Sequence, residues 1–286
     1  MAENVKMIDR LEEIADPYKV ILSDVWGVVH NGVSAFPDAV EALARMREAG
    51  KVVILITNAP RPHPLVIEQL GRLGVREDAW DRVITSGDVT RKLIEEGPRR
   101  IFHLGPERDT MLYDGLDVEL VEEFEASGVV CTGLEDDENE GPEDYAEILQ
   151  RLRARDLPFI CANPDIVVER GDRLIYCAGA LAREYGLLGG RTLIAGKPFA
   201  PIYEAAMQAA GEIAGTTFDR SEALAIGDGV LTDVKGGVNA GLDVLFVTAG
   251  IHGADYNVDG KPDTAKLGAF FEKHALHPVA SIHRLR

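Results

Sequence analysis

Short apolar runs bounded by turn residues alternate with amphipathic stretches along most of the chain. Residues 20–23 form an unbroken run, VILS, that predicts a buried strand. Residues 38–49 repeat apolar positions at helical spacing and stop at Gly50, which predicts a helix. Residues 52–56, VVILI, predict a second buried strand, and residues 64–73 a helix stopped by Gly74. The same signals return further on: a long helix over 201–214, then short strands at 223–226 and 244–247. Apolar runs without polar alternation must be covered on both faces, and the intervening helices supply that cover. The pattern therefore predicts an α/β protein with a doubly wound, parallel, Rossmann-like sheet.

The middle of the chain starts a second series of the same kind. Strands are expected at 100–104, 129–132 and 159–162, and helices near 143–155 and 179–185. A self-contained α/β module of about a hundred residues between two halves of another sheet reads as an inserted domain. The expected boundaries are 1–87 and 191–286 for a discontinuous core and 88–190 for the insert. Internal repeats are not evident.

Composition narrows the class. Of 286 residues, 46% are hydrophobic and 27% charged, as in ordinary globular proteins. No apolar run approaches the roughly 20 residues of a membrane span. The opening MAENVKMIDRLEEIADPYK lacks the apolar centre of a secretion signal. Cys131, Cys161 and Cys177 are widely spaced with no Cys-x-x-Cys pair, which fits reduced thiols in a cytoplasmic protein. The net charge of -18 argues against nucleic acid and anionic membranes as partners. A small phosphorylated metabolite would need a local positive pocket of cation, lysine and backbone N–H groups. Homo-oligomer formation is left open. The run Glu135-Asp136-Asp137-Glu138-Asn139-Glu140 lacks alternating ligand spacing and precedes Gly141-Pro142, so a solvated loop is expected.

Ligands collect at the carboxyl ends of strands in open parallel sheets. There the first strand ends in Ser23-Asp24-Val25-Trp26-Gly27 and the second in Thr57-Asn58. Gly196-Lys197-Pro198 precedes the 201–214 helix, and the 223–226 strand runs into Gly227-Asp228-Gly229, with Asp233 five residues after Asp228. Any one aspartate could be a helix cap, but carboxylates, hydroxyl and ammonium at successive strand ends point to one site. Each suits phosphoryl chemistry. A carboxylate such as Asp24 can attack phosphorus. Asp24, Asp228 and a backbone carbonyl can hold Mg²⁺, which takes oxygen ligands. Thr57 and adjacent N–H groups can hold phosphate oxygens, and Lys197 can neutralise them. Asp233 is expected behind the ligands, orienting metal-bound water or Lys197, or else simply as the acidic first turn of a helix.

Asp24-x-x-Gly27-Val28, Ile56-Thr57-Asn58, Gly196-Lys197-Pro198 and Gly227-Asp228-x4-Asp233 occur in the order of the four motifs of the haloacid dehalogenase superfamily, which the chain resembles. The large insert between the second and third motifs is similar to class IIA, the nucleotide, 4-nitrophenyl, phosphoglycolate and pyridoxal phosphatases. Asn31-Gly32, Pro37, Asn163-Pro164-Asp165, Ala178-Gly179-Ala180-Leu181 and Asn239-Ala240-Gly241 add to the likeness. The resemblance implies a HAD core with an inserted cap, Mg²⁺ as cofactor, and catalysis by Asp24, Thr57 and Lys197. It implies metal binding through Asp24, Asp228 and the backbone carbonyl of Trp26. Thr57, Asn58 and Lys197 would bind phosphate, and the cap loop residues Asn163 and Asp165 would face the substrate.

One position departs from the pattern. Phosphatases of the superfamily carry a second aspartate two residues after the nucleophile, as acid and then base; here that residue is Trp26. Its carbonyl can still serve a metal, but indole is neither acid nor base, and loss of such help costs ~10²–10⁴ in rate. His30 is either a substitute acid or, as expected of most histidines, a surface or cap-facing loop residue. Trp26 is equally suited to be an aromatic wall. Two functions follow: a Mg²⁺-dependent phosphatase acting through an aspartyl phosphate, slowed by Trp26, or a phosphate-ligand binding or regulatory protein that has lost turnover. A dinucleotide oxidoreductase is disfavoured, because no Gly-x-Gly-x-x-Gly follows the first strand.

Overall fold

The computed structural model describes residues 5–170, 173–258 and 260–286. Sixteen strands appear among them. In chain order they are β1 (Met7–Ile8), β2 (Val20–Asp24), β3 (Val52–Thr57), β4 (Arg82–Thr85), β5 (Arg100–Leu104), β6 (Glu119–Leu120), β7 (Gly128–Cys131) and β8 (Phe159–Cys161). There follow β9 (Val167–Arg170), β10 (Arg173–Tyr176), β11 (Thr192–Ile194), β12 (Ala223–Gly227), β13 (Asp243–Val247), β14 (Asn257–Val258), β15 (Lys261–Pro262) and β16 (Ala280–Ile282).

Two compact units emerge. The first comprises Met1–Thr57, Ile67–Ile84 and Tyr203–Arg286, and the second Asn58–Val66 and Thr85–Ile202. The seven-stranded sheet of the first runs β1-β16-β13-β12-β2-β3-β4. Its central strands β2, β3 and β12 are buried at every residue, as their unbroken apolar sequences require. Parallel pairing sets Ser23 opposite Leu55, Asp24 opposite Ile56, and Ile226 opposite Ser23. The carboxyl ends of β2, β3 and β12 therefore meet at one sheet edge, with β2 in the middle. Helix Pro37–Glu48 buries Val40, Leu43 and Met46; Pro37 starts it and Arg45 and Arg47 lie in its last turn.

The second unit holds a parallel five-stranded sheet in the order β11-β8-β7-β5-β6. Successive residues of a strand face opposite sides, and the cores obey this. Val129, Cys131, Phe159 and Cys161 join one apolar cluster with Leu149 and Tyr185. Val130 and Ile160 join another with Ile94 and Ile101. The sheet is thus covered on both faces, and the Phe159 and Tyr185 rings stack with centroids 4.9 Å apart. All three cysteines are free and buried. Burial pushes the Cys161 thiol up to about 12 and raises the other two, so these are inert packing groups.

The sequence pattern predicts the long strands but not the short strands β1, β4 and β16, nor the antiparallel β9–β10 hairpin. Helix Ser86–Glu95 is a further omission, although Thr85 and Asp88 form a reciprocal capping box at its start. The predicted helix over 143–155 is divided: a 3-10 turn at Pro142–Tyr145 precedes the α-helix Ala146–Ala154. The acidic run at 135–140 is a turn in which Asp137 pairs with Arg170. No helix among the described residues is long and apolar enough to cross a membrane.

Candidate functional site

In the first unit the three aspartates singled out by the sequence come together. Asp24 ends β2, Asp228 follows β12, and Asp233 lies in a π-helical turn, Val230–Val234. Each offers a carboxylate oxygen within 4.8 Å of the others, and all three side chains are buried. Thr57, the last residue of β3, is buried on the neighbouring strand. Asp233 accepts a hydrogen bond from the Gly229 N–H at 2.9 Å, and Asp228 accepts one from the Ile251 N–H at 3.2 Å. Glycine makes the space. A Cβ on Gly27, whose φ is +76°, would lie 2.7 Å from the Asp228 carboxyl carbon, and one on Gly250 would overlap the same carboxylate.

Three carboxylates gathered this closely repel one another, and a shared divalent cation turns that repulsion into attraction. An all-oxygen donor set fits a hard cation such as Mg²⁺ or Ca²⁺. Among the described residues this is the one group of three or more such ligands. Asp233, expected behind the ligands, belongs to this group of three carboxylates.

Trp26, two residues after Asp24, is half-buried. Its ring meets the edge of His30, with centroids 4.8 Å apart and planes at 73°. His30 departs from the surface position expected of it: it is 1% exposed. Its Nδ1 accepts from the Gly32 N–H at 2.9 Å, which leaves the proton of the neutral ring on Nε2.

Burial pushes the His30 imidazole down to about 4 from its ordinary 6.5. The folded state therefore holds the ring neutral where the unfolded chain protonates it. Its contribution to stability is complete above pH 6.5 and is lost as pH falls towards 4, by about 3 kcal/mol at most. We expect His30→Asn, which can still accept from Gly32, to flatten the fall in unfolding free energy across that window relative to wild type. Parallel pH profiles in denaturant titrations would refute the assignment.

The second unit gathers the other predicted residues. The Asn58 side chain accepts from the Lys197 N–H at 2.7 Å and donates to the Lys197 carbonyl at 3.2 Å and to Asp165 at 2.9 Å. The Asp165 N–H in turn donates to the Asn163 side chain at 3.1 Å. Asn58, Asn163 and Lys197 are buried. Asn58, expected as a phosphate ligand, is thus the tie between the Gly196-Lys197-Pro198 and Asn163-Pro164-Asp165 loops. Ser86, which no motif in the sequence singles out, is buried beside this tie: a Cβ on Gly196 would lie 2.8 Å from its Oγ and 2.5 Å from the Asn58 Oδ1. A Thr-Ser pair where a short strand passes into a helix gives no spacing signal that could have found it.

Residues 21–119 match the model of a family described as haloacid dehalogenase-like hydrolase, and residues 194–277 match a second, HAD-hydrolase-like model. A crystal structure of a haloacid dehalogenase-like family hydrolase from Brucella suis is 63% identical, with a TM-score of 0.89 over 98% of this chain and 100% of that one. The 5'-nucleotidase YutF of Bacillus subtilis is 26% identical over 85% of this chain and 91% of its own length. A glycerol phosphate phosphatase from Mycobacterium tuberculosis, solved in complex with calcium, is 28% identical with a TM-score of 0.63, covering 83% of this chain and 68% of that one.

Proposed function

Because the chain belongs to the haloacid dehalogenase-like hydrolase family, in its class IIA, we propose that it is a Mg²⁺-dependent phosphatase of a small phosphorylated metabolite. The observation that carries this reading is the buried meeting of Asp24, Asp228 and Asp233 at the strand ends beside Thr57. The names of the bacterial nucleotidase and the glycerol phosphate phosphatase support it.

Asp24, Asp228 and the Trp26 backbone carbonyl would hold the cation, with Asp233 against them. Mg²⁺ supplies neutralisation of phosphate charge as the carboxylate approaches. Asp24 attacks phosphorus and becomes an aspartyl phosphate, which water then hydrolyses. Thr57 and the backbone N–H groups after it hold the phosphate oxygens. Lys197, fixed through its backbone by Asn58, supplies the compensating positive charge. Residues 88–190 act as a cap, and Asn163 and Asp165 belong to its substrate-facing loop.

Phosphate release over a panel of phosphorylated metabolites, with and without Mg²⁺, tests the activity. No release from any ester by protein with Mg²⁺ bound would favour the second reading, a phosphate-ligand binding protein without turnover, which Trp26 at the acid position supports. The cation site has its own measurement. Asp228→Asn should weaken Mg²⁺ binding in calorimetry by at least about tenfold, since even partners behind a metal ligand are worth that much. Unchanged affinity removes Asp228 from the site.

A further inference from the structure

The carboxyl edge that gathers the aspartates after β2 and β12 continues to the far end of the seven-stranded sheet. There β1 pairs in parallel with β16, and β16 with β13. Their carboxyl ends therefore open on the same edge, where β1 runs into Asp9-Arg10 and β16 into His283-Arg284. Ligands collect at such ends in open parallel sheets. Two adjoining grooves lie here. One, of about 460 Å³, is lined by Arg10, Asp38, Glu41, Arg45 and Arg286. The other, of about 270 Å³, shares Asp38 and Arg286 and adds His283 and Arg284 beside the apolar strand ends Ile8 and Ile282. Together they offer the room of a small-metabolite site.

Charge sets this end of the edge apart. The chain carries 48 acidic residues against 30 basic ones, yet Arg10, Arg45, Arg284, Arg286 and His283 all line the grooves. The acids facing them are Asp9, Asp38 and Glu41. Two of these are engaged: Asp9 by Arg286 at 2.9 Å, and Glu41 by Arg76, outside the grooves, at 3.0 Å. Arg45 is held by Glu12 at 2.6 Å. Arg10 and Arg284 pair with no carboxylate among the described residues, and the Arg284 guanidinium rests 5.2 Å from the centre of the Phe36 ring. Burial, together with Arg284 and Arg286, holds the His283 imidazole below its ordinary range, as a positive field requires.

The backbone that carries these groups is tied down on both sides. The Thr248 N–H donates to the Ile282 carbonyl and the Ala249 N–H to the His283 carbonyl, each at 2.9 Å. The Leu11 N–H donates to the Arg286 main-chain oxygen at 3.0 Å. A fixed backbone lowers the ordering cost of binding, and guanidinium forks match oxyanions. We propose that this end of the edge is a second ligand site, for a small metabolite bearing two or more oxyanion groups, phosphate or carboxylate. Arg10 and Arg284 take the oxyanions, Asp38 accepts from a hydroxyl or amino group of the ligand, and Ile8 and Ile282 meet its carbon frame. The site is three strands along the sheet from Asp24, counted from β16 to β2, and it does not depend on the hydrolase reading.

The test is calorimetry on the Mg²⁺-free protein with pyrophosphate and, separately, citrate, each against chloride at equal ionic strength. Saturable binding of at least one is expected, and the stronger of the two separates phosphate from carboxylate recognition. Arg10→Gln and Arg284→Gln should each weaken it by about tenfold or more, the worth of one charge-assisted hydrogen bond. Both arginines are exposed, so both variants should fold. Proton NMR reports the location. A bound oxyanion opposes the pull of Arg284 and Arg286 and should raise the His283 titration midpoint by about one pH unit, with Asp9 and Asp38 present in both states. No saturable binding of either anion beyond chloride overturns the proposal. So does binding that either arginine variant retains at wild-type strength, or that leaves His283 unmoved, since the anion would then lie elsewhere.

Discussion

Asp24→Asn is expected to lower phosphate release by on the order of 10⁴-fold or more, the scale seen when a nucleophile is removed from an otherwise intact site. An amide oxygen can still touch a cation, but it cannot form a stable acyl phosphate. The fold should survive, because asparagine has nearly the same shape and Asp24 keeps its backbone place on β2 opposite Ile56. Stability gives a second reading of the same change. Replacing one of three clustered carboxylates relieves repulsion in the metal-free protein. The melting temperature without Mg²⁺ should therefore hold or rise, while the added stabilisation by Mg²⁺ shrinks as affinity falls. Activity near wild type, once contaminating phosphatase and deamidation to aspartate are excluded, would place the nucleophile elsewhere.

Much of this architecture is legible in the sequence because the central strands have no choice. VILS and VVILI cannot face water on either side, so they lie in the middle of a parallel sheet, and the residues after each run fall at its carboxyl end. That reasoning puts Asp24, Thr57 and Asp228 at one sheet edge before any coordinate is known. The short strands are illegible for the converse reason. Met7–Ile8 and Ala280–Ile282 are two and three residues long and acquire strand geometry only by pairing with a neighbour. The burial of His30 is equally hidden, because one histidine in a loop carries no periodicity; it is packed against the ring of Trp26, four residues earlier. Asn58 shows a subtler limit. Its position after Thr57 suggests a ligand, but only the fold shows its amide holding Lys197 and Asp165 through three hydrogen bonds.

Gly250→Ala is expected to disable the cation site from outside the set of charged residues. Gly250 lies in the turn after β13, and its missing side chain is where the Asp228 carboxylate rests. A methyl group there must displace either the carboxylate or the turn. Overfilling a packed site of this kind costs about 1–3 kcal/mol of stability. The larger effect falls on function, because moving one of three oxygens that lie within 4.8 Å of one another breaks the geometry a hard cation needs. Mg²⁺ affinity and phosphate release should fall together, although no ligand has been changed. Gly71 is the matched control: it lies in helix His63–Leu73, where an added methyl group would meet nothing within 4 Å. Gly71→Ala should therefore leave Mg²⁺ binding alone and raise stability by about 0.4–1 kcal/mol. Calorimetric Mg²⁺ titrations and denaturant melts on both variants separate the two effects. A Gly250→Ala protein that binds Mg²⁺ as tightly as wild type would show that the Asp228 carboxylate can move without loss, and that the cluster is not the cation site.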